Sequence, residues 1–382
     1  MSITRFSFPT TIHFGAGARQ LAGPHLREQG LKRPLIVTDK GLAALPLMAE
    51  LKAGLEAAGL HVALYGGIWG NPTGSQVMNG AAAYKAHGAD CVVGVGGGAA
   101  LDVAKVVGLM ATHPGDVMEY VWDHPQVRAI DAAALPYFMA LPTTSGTGSE
   151  VGRSSVISEE STHIKRVIFS PLILAKVVFA DPELTLGLPS AVTAATGMDA
   201  LTNNVESYLS PAFHPLCDGI ALEGTRIAAR ALAAAVREPG NLQARADMMM
   251  CSMMGAIAFQ KDLGAVHSCA HALGTVCDTH HGLANALMID TVLAWNFEAV
   301  PAKFDELAHA AGLSGRGAAF VPWLKSLKAQ IGIAGNLSAA GVRAEQVSRL
   351  VQVANADICH QTNPRPCVAA DFERLFLQAL KP

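Results

Sequence analysis

Four of the chain's 14 histidines fall within the 15 residues from His267 to His281. The stretch from Gly264 to Asn285 reads G-A-V-H-S-C-A-H-A-L-G-T-V-C-D-T-H-H-G-L-A-N. His267 and His271 are four apart, so on a helix both imidazoles leave from one face and reach a common point. A turn around Asp278–Thr279 then delivers His280, His281 and Gly282. Neutral imidazole is a ligand for zinc, iron and nickel, and it carries protons near neutral pH. One i,i+4 pair by itself reads as two helix-face histidines packed on polar partners. The added His-His-Gly weakens that bland reading.

The first half of the chain carries a different chemistry. The apolar run Cys91–Val95 leads into Gly96-Gly97-Gly98, then Ala99-Ala100-Leu101-Asp102 and Lys105. Consecutive glycines let backbone N–H groups approach an anion, and the helix behind them adds its free N–H groups and positive dipole end. This is a pyrophosphate cradle in chemistry, although it is not G-x-G-x-x-G and a tight strand-to-helix turn would look the same. Asp39 closes the apolar run Leu35–Thr38, 57 residues before Gly96. In an ordinary dinucleotide unit the acidic ribose reader follows the glycines by about 20 residues. The reversed order marks a variant dinucleotide domain. A carboxylate at that place accepts a ribose 2′-OH and repels a 2′-phosphate. Downstream, Pro142-Thr143-Thr144-Ser145-Gly146-Thr147-Gly148-Ser149-Glu150 is a loop dense in hydroxyls and glycines, suited to phosphate or ribose.

Together these segments resemble the iron-containing (group III) alcohol dehydrogenase family. The matching pieces are G-x-x-H-x-x-x-H-x-L-G with H-H-G-x-x-N-A, P-T-T-x-G-T-G-S-E, the Asn71-Pro72-Thr73 turn and Thr362-Asn363-Pro364-Arg365-Pro366, so the likeness covers nearly the whole chain. The resemblance implies that His267 and His281 are metal ligands and that His271 lies beside the nicotinamide. It also implies cofactor contacts from Asp39, Gly96, Gly97, Gly98, Asp102, Thr143, Thr144, Thr147 and Lys165, with NAD preferred to NADP. Arg153, Ser154 and Cys359 align with positions that line the substrate pocket. Two departures stand out. Ala99 and Ala100 replace a Ser-Pro pair behind the glycines, which removes a hydroxyl but keeps the backbone donors. In Gly197-Met198-Asp199-Ala200-Leu201-Thr202-Asn203, Asp199 matches a family metal ligand, whereas Asn203 stands where the family has a ligand His. The implied set is therefore Asp199, His267, His281 and either Asn203, a poor neutral ligand, or solvent.

These groups need elements to hold them. Apolar strand-like runs at Leu35–Thr38, His61–Tyr65 and Cys91–Val95 alternate with helical stretches at about 45–58 and 74–87, the pattern of βαβ units and a parallel sheet. A further strand, Tyr137 to Leu141, precedes the hydroxyl-rich loop, and short β-rich pieces follow to residue 180. Helical patterns then dominate: about 190–210, 215–236, 240–260, 264–277, 282–297, 315–331 and 344–356. The expected fold is an α/β dinucleotide-binding domain over residues 1–185 and an all-helical metal and substrate domain over 186–382, the dehydroquinate synthase-like architecture of the resembled family.

Composition sets the bounds. The 382 residues are 51% hydrophobic and 15% charged, with a net charge of −3, enough for two sizeable cores. No basic stretch points to nucleic acid, and no long apolar run points to a membrane span. The N-terminus shows no signal-peptide h-region. The seven cysteines are scattered, with no C-x-x-C, as expected of reduced cytosolic thiols. The expectation is a cytoplasmic, NAD(H)-dependent, metal-assisted alcohol dehydrogenase or aldehyde reductase. Its metal would be Fe(II) or Zn(II), its substrate a small alcohol or aldehyde, and its state, by family resemblance, a homodimer or higher homo-oligomer. Two alternatives stay open: a metal-free, NADH-dependent oxo-acid reductase like the maleylacetate reductases, and a catalytically silent NAD-binding protein.

Overall fold

Apolar runs without alternation are the mark of strands covered on both faces. In the computed structural model, which describes residues 6–8, 10–333 and 335–381, two such runs are buried central strands. The chain divides into two units. One comprises Phe8–Thr144 and Ser149–Thr185; the other comprises Leu186 onward, with Ser145–Gly148 and residues 6 and 7.

The α/β unit runs β1 (Thr11–Phe14), α1 (Ala22–Glu28), β2 (Pro34–Asp39), α2 (Lys40–Ala43), α3 (Pro46–Ala57), β3 (Ala63–Ile68), α4 (Gly74–His87), β4 (Cys91–Gly96), α5 (Gly98–Thr112), β5 (Tyr137–Pro142), β6 (Ser154–Ser158), β7 (Lys165–Phe169) and β8 (Val177–Ala180). Six strands form a sheet in the order β1-β8-β5-β4-β2-β3 with every pairing parallel, and β6 and β7 form a separate antiparallel pair. From β2 the chain passes outward to β3, and from β4 it passes the other way to β5. The carboxyl ends of β2 and β4 therefore flank a reversal of strand order, the place where open α/β sheets bind ligands. Asp39 ends β2, Gly96 ends β4, and Gly96 pairs with Pro142 of β5. Helix α4 opens on a capping box between Thr73 and Gln76, which accounts for the Asn-Pro-Thr turn.

The helical unit contains, among the described residues, α6 (Ser190–Leu209), α7 (Pro215–Arg237), α8 (Leu242–Ala258), α9 (Ala265–Cys277), α10 (His281–Phe297), α11 (Pro301–Ala310), α12 (Phe320–Gln330), α13 (Val347–Ala356) and α14 (Ala369–Ala379). Its core is one continuous cluster in which α6 contributes Met198, Leu201 and Val205, and α9 and α10 contribute Cys269, Leu273, Met288 and Ile289. Two helices, α11 and α14, were not anticipated from the sequence. The first is short and begins on a proline. The second buries Phe372, Leu375, Phe376 and Ala379, a helical stripe hidden close behind the proline-rich segment. No helix among the described residues is long and apolar enough to cross a membrane.

Candidate functional site

Three helices of the helical unit meet at one cluster. Asp199, Asn203 and Glu206 lie on α6 at i, i+4 and i+7, so one face carries all three. His267 and His271 share a face of α9, whose last residue precedes Asp278 at φ 51°; that left-handed residue turns the chain into His280 and α10. His281 is the first residue of α10, and Asn285 follows one turn later. Gly282 makes the convergence possible. A Cβ there would lie 2.2 Å from the carbonyl oxygen of Ala195 on α6, so any other residue would push α10 away from Asp199.

The donor atoms of Asp199, His267 and His281 all lie within 4.8 Å of one another. Asp199 Oδ1 is 3.8 Å from His267 Nε2 and 3.4 Å from His281 Nε2. Asp199 and His267 are buried. Burial raises the pKa of the Asp199 carboxyl, opposed by His267 and by the hydrogen bond from Asn285. His267 Nδ1 donates to Glu206 Oε2 at 2.6 Å. The same carboxylate accepts the backbone N–H groups of Val266 (2.7 Å) and His267 (3.2 Å) at the start of α9. Glu206 thus fixes ring and tautomer together, leaving the Nε2 lone pair facing Asp199 and His281. This is the carboxylate–histidine arrangement that stands behind metal ligands. Burial disfavours the imidazolium of His267, but the hydrogen bond and charge of Glu206, with Asp199, outweigh it and the pKa is raised. A divalent cation at Nε2 would satisfy the same negative surroundings. One carboxylate and two correctly presented imidazoles fit such an ion.

His271 lies beside this group, its ring stacked 5.4 Å from that of His281. Its Nδ1 donates to Asp357 Oδ2 at 2.8 Å. Asp357 also accepts from Ser268 Oγ (2.8 Å) and the Cys359 N–H (2.9 Å). Burial works against the Asp357 carboxylate, yet His271 and these donors hold its pKa well below the usual carboxylate range. Cys359 adjoins the pair, and burial pushes its thiol well above the ordinary value. Its sulfur, with His271 and Asp357, forms a second group whose donor atoms lie within 4.8 Å of one another. Asn203 sits on the α6 face with its amide nitrogen donating to the Gly146 carbonyl at 3.3 Å.

In the α/β unit Asp39, Gly96, Gly97, Thr143 and Thr144 gather at the carboxyl end of the sheet. Asp39 caps α2, its Oδ1 accepting from the Leu42 N–H at 2.8 Å. Gly96 has φ 147°, and a Cβ there would lie 2.6 Å from the Ala100 Cβ and 3.6 Å from Asp39 Oδ2. The glycine is thus required by backbone and space alike. Thr143 N donates to the Gly96 carbonyl at 3.0 Å, and Thr144 packs on Gly97. Gly97 caps α5 without any side-chain bond, leaving the helix N–H groups to a ligand. Thr147 lies in the short segment grouped with the helical unit, and Lys165 opens β7.

Asp102, expected on the cofactor side, engages both carboxylate oxygens inside the unit: Oδ1 accepts from Ser149 Oγ at 2.5 Å and Oδ2 from the Val156 N–H at 2.9 Å. Lys105 donates to Ser149 Oγ (2.8 Å) and to the Ser154 carbonyl (2.7 Å). Asp102 and Lys105 therefore clamp the end of the hydroxyl-rich loop. Ser154 lies on β6, and Arg153 beside it stacks 5.7 Å over Phe169.

Glu206 and Asp357 are the members of the candidate site that sequence reasoning missed. Glu206 had a signal, seven residues after Asp199 on the same helix. Asp357 lies 86 residues from His271, and no spacing connects them.

The family model described as iron-containing alcohol dehydrogenase matches residues 9–182, and that of the Fe-containing alcohol dehydrogenase C-terminal region matches residues 193–380. The 4-hydroxybutyrate dehydrogenase of Cupriavidus necator is 38% identical over 97% of this chain and 98% of its own length. A crystal structure of a 1,3-propanediol oxidoreductase superposes with a TM-score of 0.94 at 35% identity, covering 99% of this chain and 100% of that one. A maleylacetate reductase from Agrobacterium tumefaciens superposes with a TM-score of 0.80 at 25% identity, covering 99% and 98%.

Proposed function

The chain belongs to the iron-containing alcohol dehydrogenase family, and from that premise we propose that it moves a hydride between NAD(H) and a short alcohol or its aldehyde. The observation that carries this reading is the convergence of Asp199, His267 and His281, with Glu206 fixing His267. Such a donor set suits a borderline divalent ion, Fe(II) or Zn(II). When bound, the ion supplies Lewis-acid stabilisation of charge on the substrate oxygen, and NAD(H) supplies or accepts the hydride.

The chain's own residues do the remaining work. His271, oriented by Asp357 through Nδ1, holds or passes a proton at Nε2. Asp39 takes the ribose hydroxyl, and Gly96, Gly97 and Gly98 offer backbone N–H groups to the pyrophosphate. Thr143, Thr144, Thr147 and Lys165 add polar contacts to the same cofactor, while Asp102 acts through Ser149. Arg153, Ser154 and Cys359 border the substrate, Cys359 as an uncharged wall. The same reading includes a cytoplasmic enzyme and a homodimer or larger homo-oligomer, which light scattering on the purified protein checks.

The metal-free oxo-acid reading is less favoured, because the carboxylate and both imidazoles of a metal site are retained and its representative is the more distant match. The test is elemental analysis together with NADH oxidation on a panel of short aldehydes and oxo acids. Aldehyde turnover that is lost on chelation and restored by Fe(II) or Zn(II) is expected. Oxo-acid turnover in metal-free protein would overturn the proposal.

A further inference from the structure

Asn285 occupies the middle of the candidate metal centre. It is fully buried, one helical turn after His281 on α10. Its Nδ2 lies 2.8 Å from Asp199 Oδ1, 3.4 Å from His267 Nε2 and 3.3 Å from His281 Nε2. An amide nitrogen has two hydrogens and cannot donate to three acceptors. At the other end of the same amide, Oδ1 is buried and meets no donor. This orientation therefore sets the amide nitrogen against three candidate ligand atoms and leaves an orphaned oxygen at the other end. A half turn about the terminal bond exchanges the two atoms, and a carboxamide allows that without moving the side chain.

The amide lies within hydrogen-bond reach of all three candidate ligand atoms. Four donors set tetrahedrally about zinc or iron at ordinary ligand distances stand about 3.3–3.6 Å from one another. The His281–Asp199, His267–amide and His281–amide distances of 3.4, 3.4 and 3.3 Å match that spacing, whereas Asp199 Oδ1 lies nearer the amide, at 2.8 Å, and farther from His267 Nε2, at 3.8 Å. The other asparagine is differently placed: the amide nitrogen of Asn203 is held by the Gly146 carbonyl. We propose that Asn285, through Oδ1, is the fourth protein ligand of the metal, taking over from the imidazole that position 203 lacks. With an ion in place the oxygen faces a cation rather than three acceptors, and the mismatch at that end of the amide is removed.

This inference rests on the reading that Asp199, His267 and His281 hold a metal, and the experiment separates the two. The full-length protein is stripped with a chelator, titrated with Co(II), and followed by competition affinity and by the Co(II) d–d bands, which report coordination number and geometry. Asn285→Ala should weaken Co(II) binding by at least 10–100-fold, the loss typical of a mere supporting partner, and should shift the bands. Asn203→Ala should leave affinity within about threefold, well below that range. Asn285→Asp keeps size and oxygen donors but loses the N–H donors; it should retain the metal with altered bands and guards against simple misfolding of the alanine variant. Unchanged affinity and bands in Asn285→Ala, or failure of Asn285→Asp to bind, would overturn the assignment. Loss in Asn203→Ala alone would move the fourth ligand to Asn203. If the unmodified protein takes up no Co(II), the metal reading itself fails.

Discussion

In the α/β unit the candidate cofactor turn is made of backbone. Gly97 caps α5 with no side chain, Gly96 holds a conformation only glycine tolerates, and Thr143 is tied to it main chain to main chain. In the helical unit the candidate centre is made of buried and half-buried side chains, and two of its imidazoles are backed by carboxylates. Glu206 stands behind His267, Asp357 behind His271, and elsewhere Asp290 behind Lys328 at 2.7 Å. Backbone donors bind a diphosphate without needing to be charged, so that turn needs few partners. Imidazoles that must present one chosen nitrogen need a carboxylate on the other, because a ring free to rotate or change tautomer is a poor ligand and a poor proton carrier. The two units thus solve recognition and chemistry by different means, and each can be tested for whether it obeys its own rule.

The largest expected effect comes from a backed imidazole. His271→Ala should lower turnover by roughly 10²–10⁴ while metal content and NAD binding hold. Elemental analysis and steady-state kinetics on the same preparation check it. Loss of metal in that variant would put His271 among the ligands and erase the division between proton carrier and metal centre.

Glu150 breaks the α/β unit's own pattern. It is a buried carboxyl with one oxygen lacking any partner, and burial pushes its pKa from 4.5 up to about 7, with its own backbone N–H and Lys105 pulling the other way. The sign follows from linkage. Between pH 4.5 and about 7 the folded chain keeps a proton that the unfolded chain has released, so stability falls as pH rises through that window and stays lower above it. A shift of that size is worth about 3 kcal/mol at roughly 1.4 kcal/mol per unit. Glu150→Gln should match the parent near pH 4.5 and exceed it in Tm at pH 8. Parallel Tm curves across the range would mean that Glu150 has a carboxylate's ordinary surroundings.

Glu206→Gln sharpens the rule for the helical unit. A carboxamide can still accept from the α9 backbone but cannot stabilise the His267 N–H as a carboxylate does. Metal affinity should fall by about 10–100-fold with the fold intact. Unaltered affinity, by competition titration, would show that the backing carboxylate is structural only.

The contrast also explains what could be read in advance. The sheet, its glycine turn and the hydroxyl-rich loop are contiguous in the chain, and their periodicity and composition carry them; the reversal of strand order then sets Asp39 beside Gly96. The candidate metal ligands were picked out through local spacing on α9 and α10 and through resemblance. Asp357 was invisible because its bond to His271 crosses 86 residues and depends on how α13 packs against α9. Asn285 sat in the quoted motif, but its contacts to Asp199, His267 and His281 appear only where α6, α9 and α10 meet. Asp102 was expected on the cofactor side from the family resemblance, and its partners inside the unit, Ser149 and Val156, come from loop and strand about 50 residues on.

The smallest effect tests whether the α/β unit recognises its cofactor by charge at all. Asp39 uses Oδ1 to cap α2, and its Oδ2 faces the Gly96 turn. A carboxylate there accepts a ribose hydroxyl and opposes a 2′-phosphate, so NADH should be preferred to NADPH. Asp39 is half-buried at the strand end, and solvent keeps the repulsion near the aqueous value, about 1 kcal/mol at 4 Å. Asp39→Gly removes the charge while costing the cap only a few tenths of a kcal/mol, since glycine is a tolerable N-cap. The ratio of kcat/KM for NADH to that for NADPH should therefore fall about fivefold in the variant, the equivalent of that 1 kcal/mol. Asp39→Asn, which preserves the capping oxygen, should move the ratio in the same direction and so separates charge from helix stability. If the unmodified protein uses both cofactors equally, the turn selects by backbone alone and Asp39 is only the cap of α2.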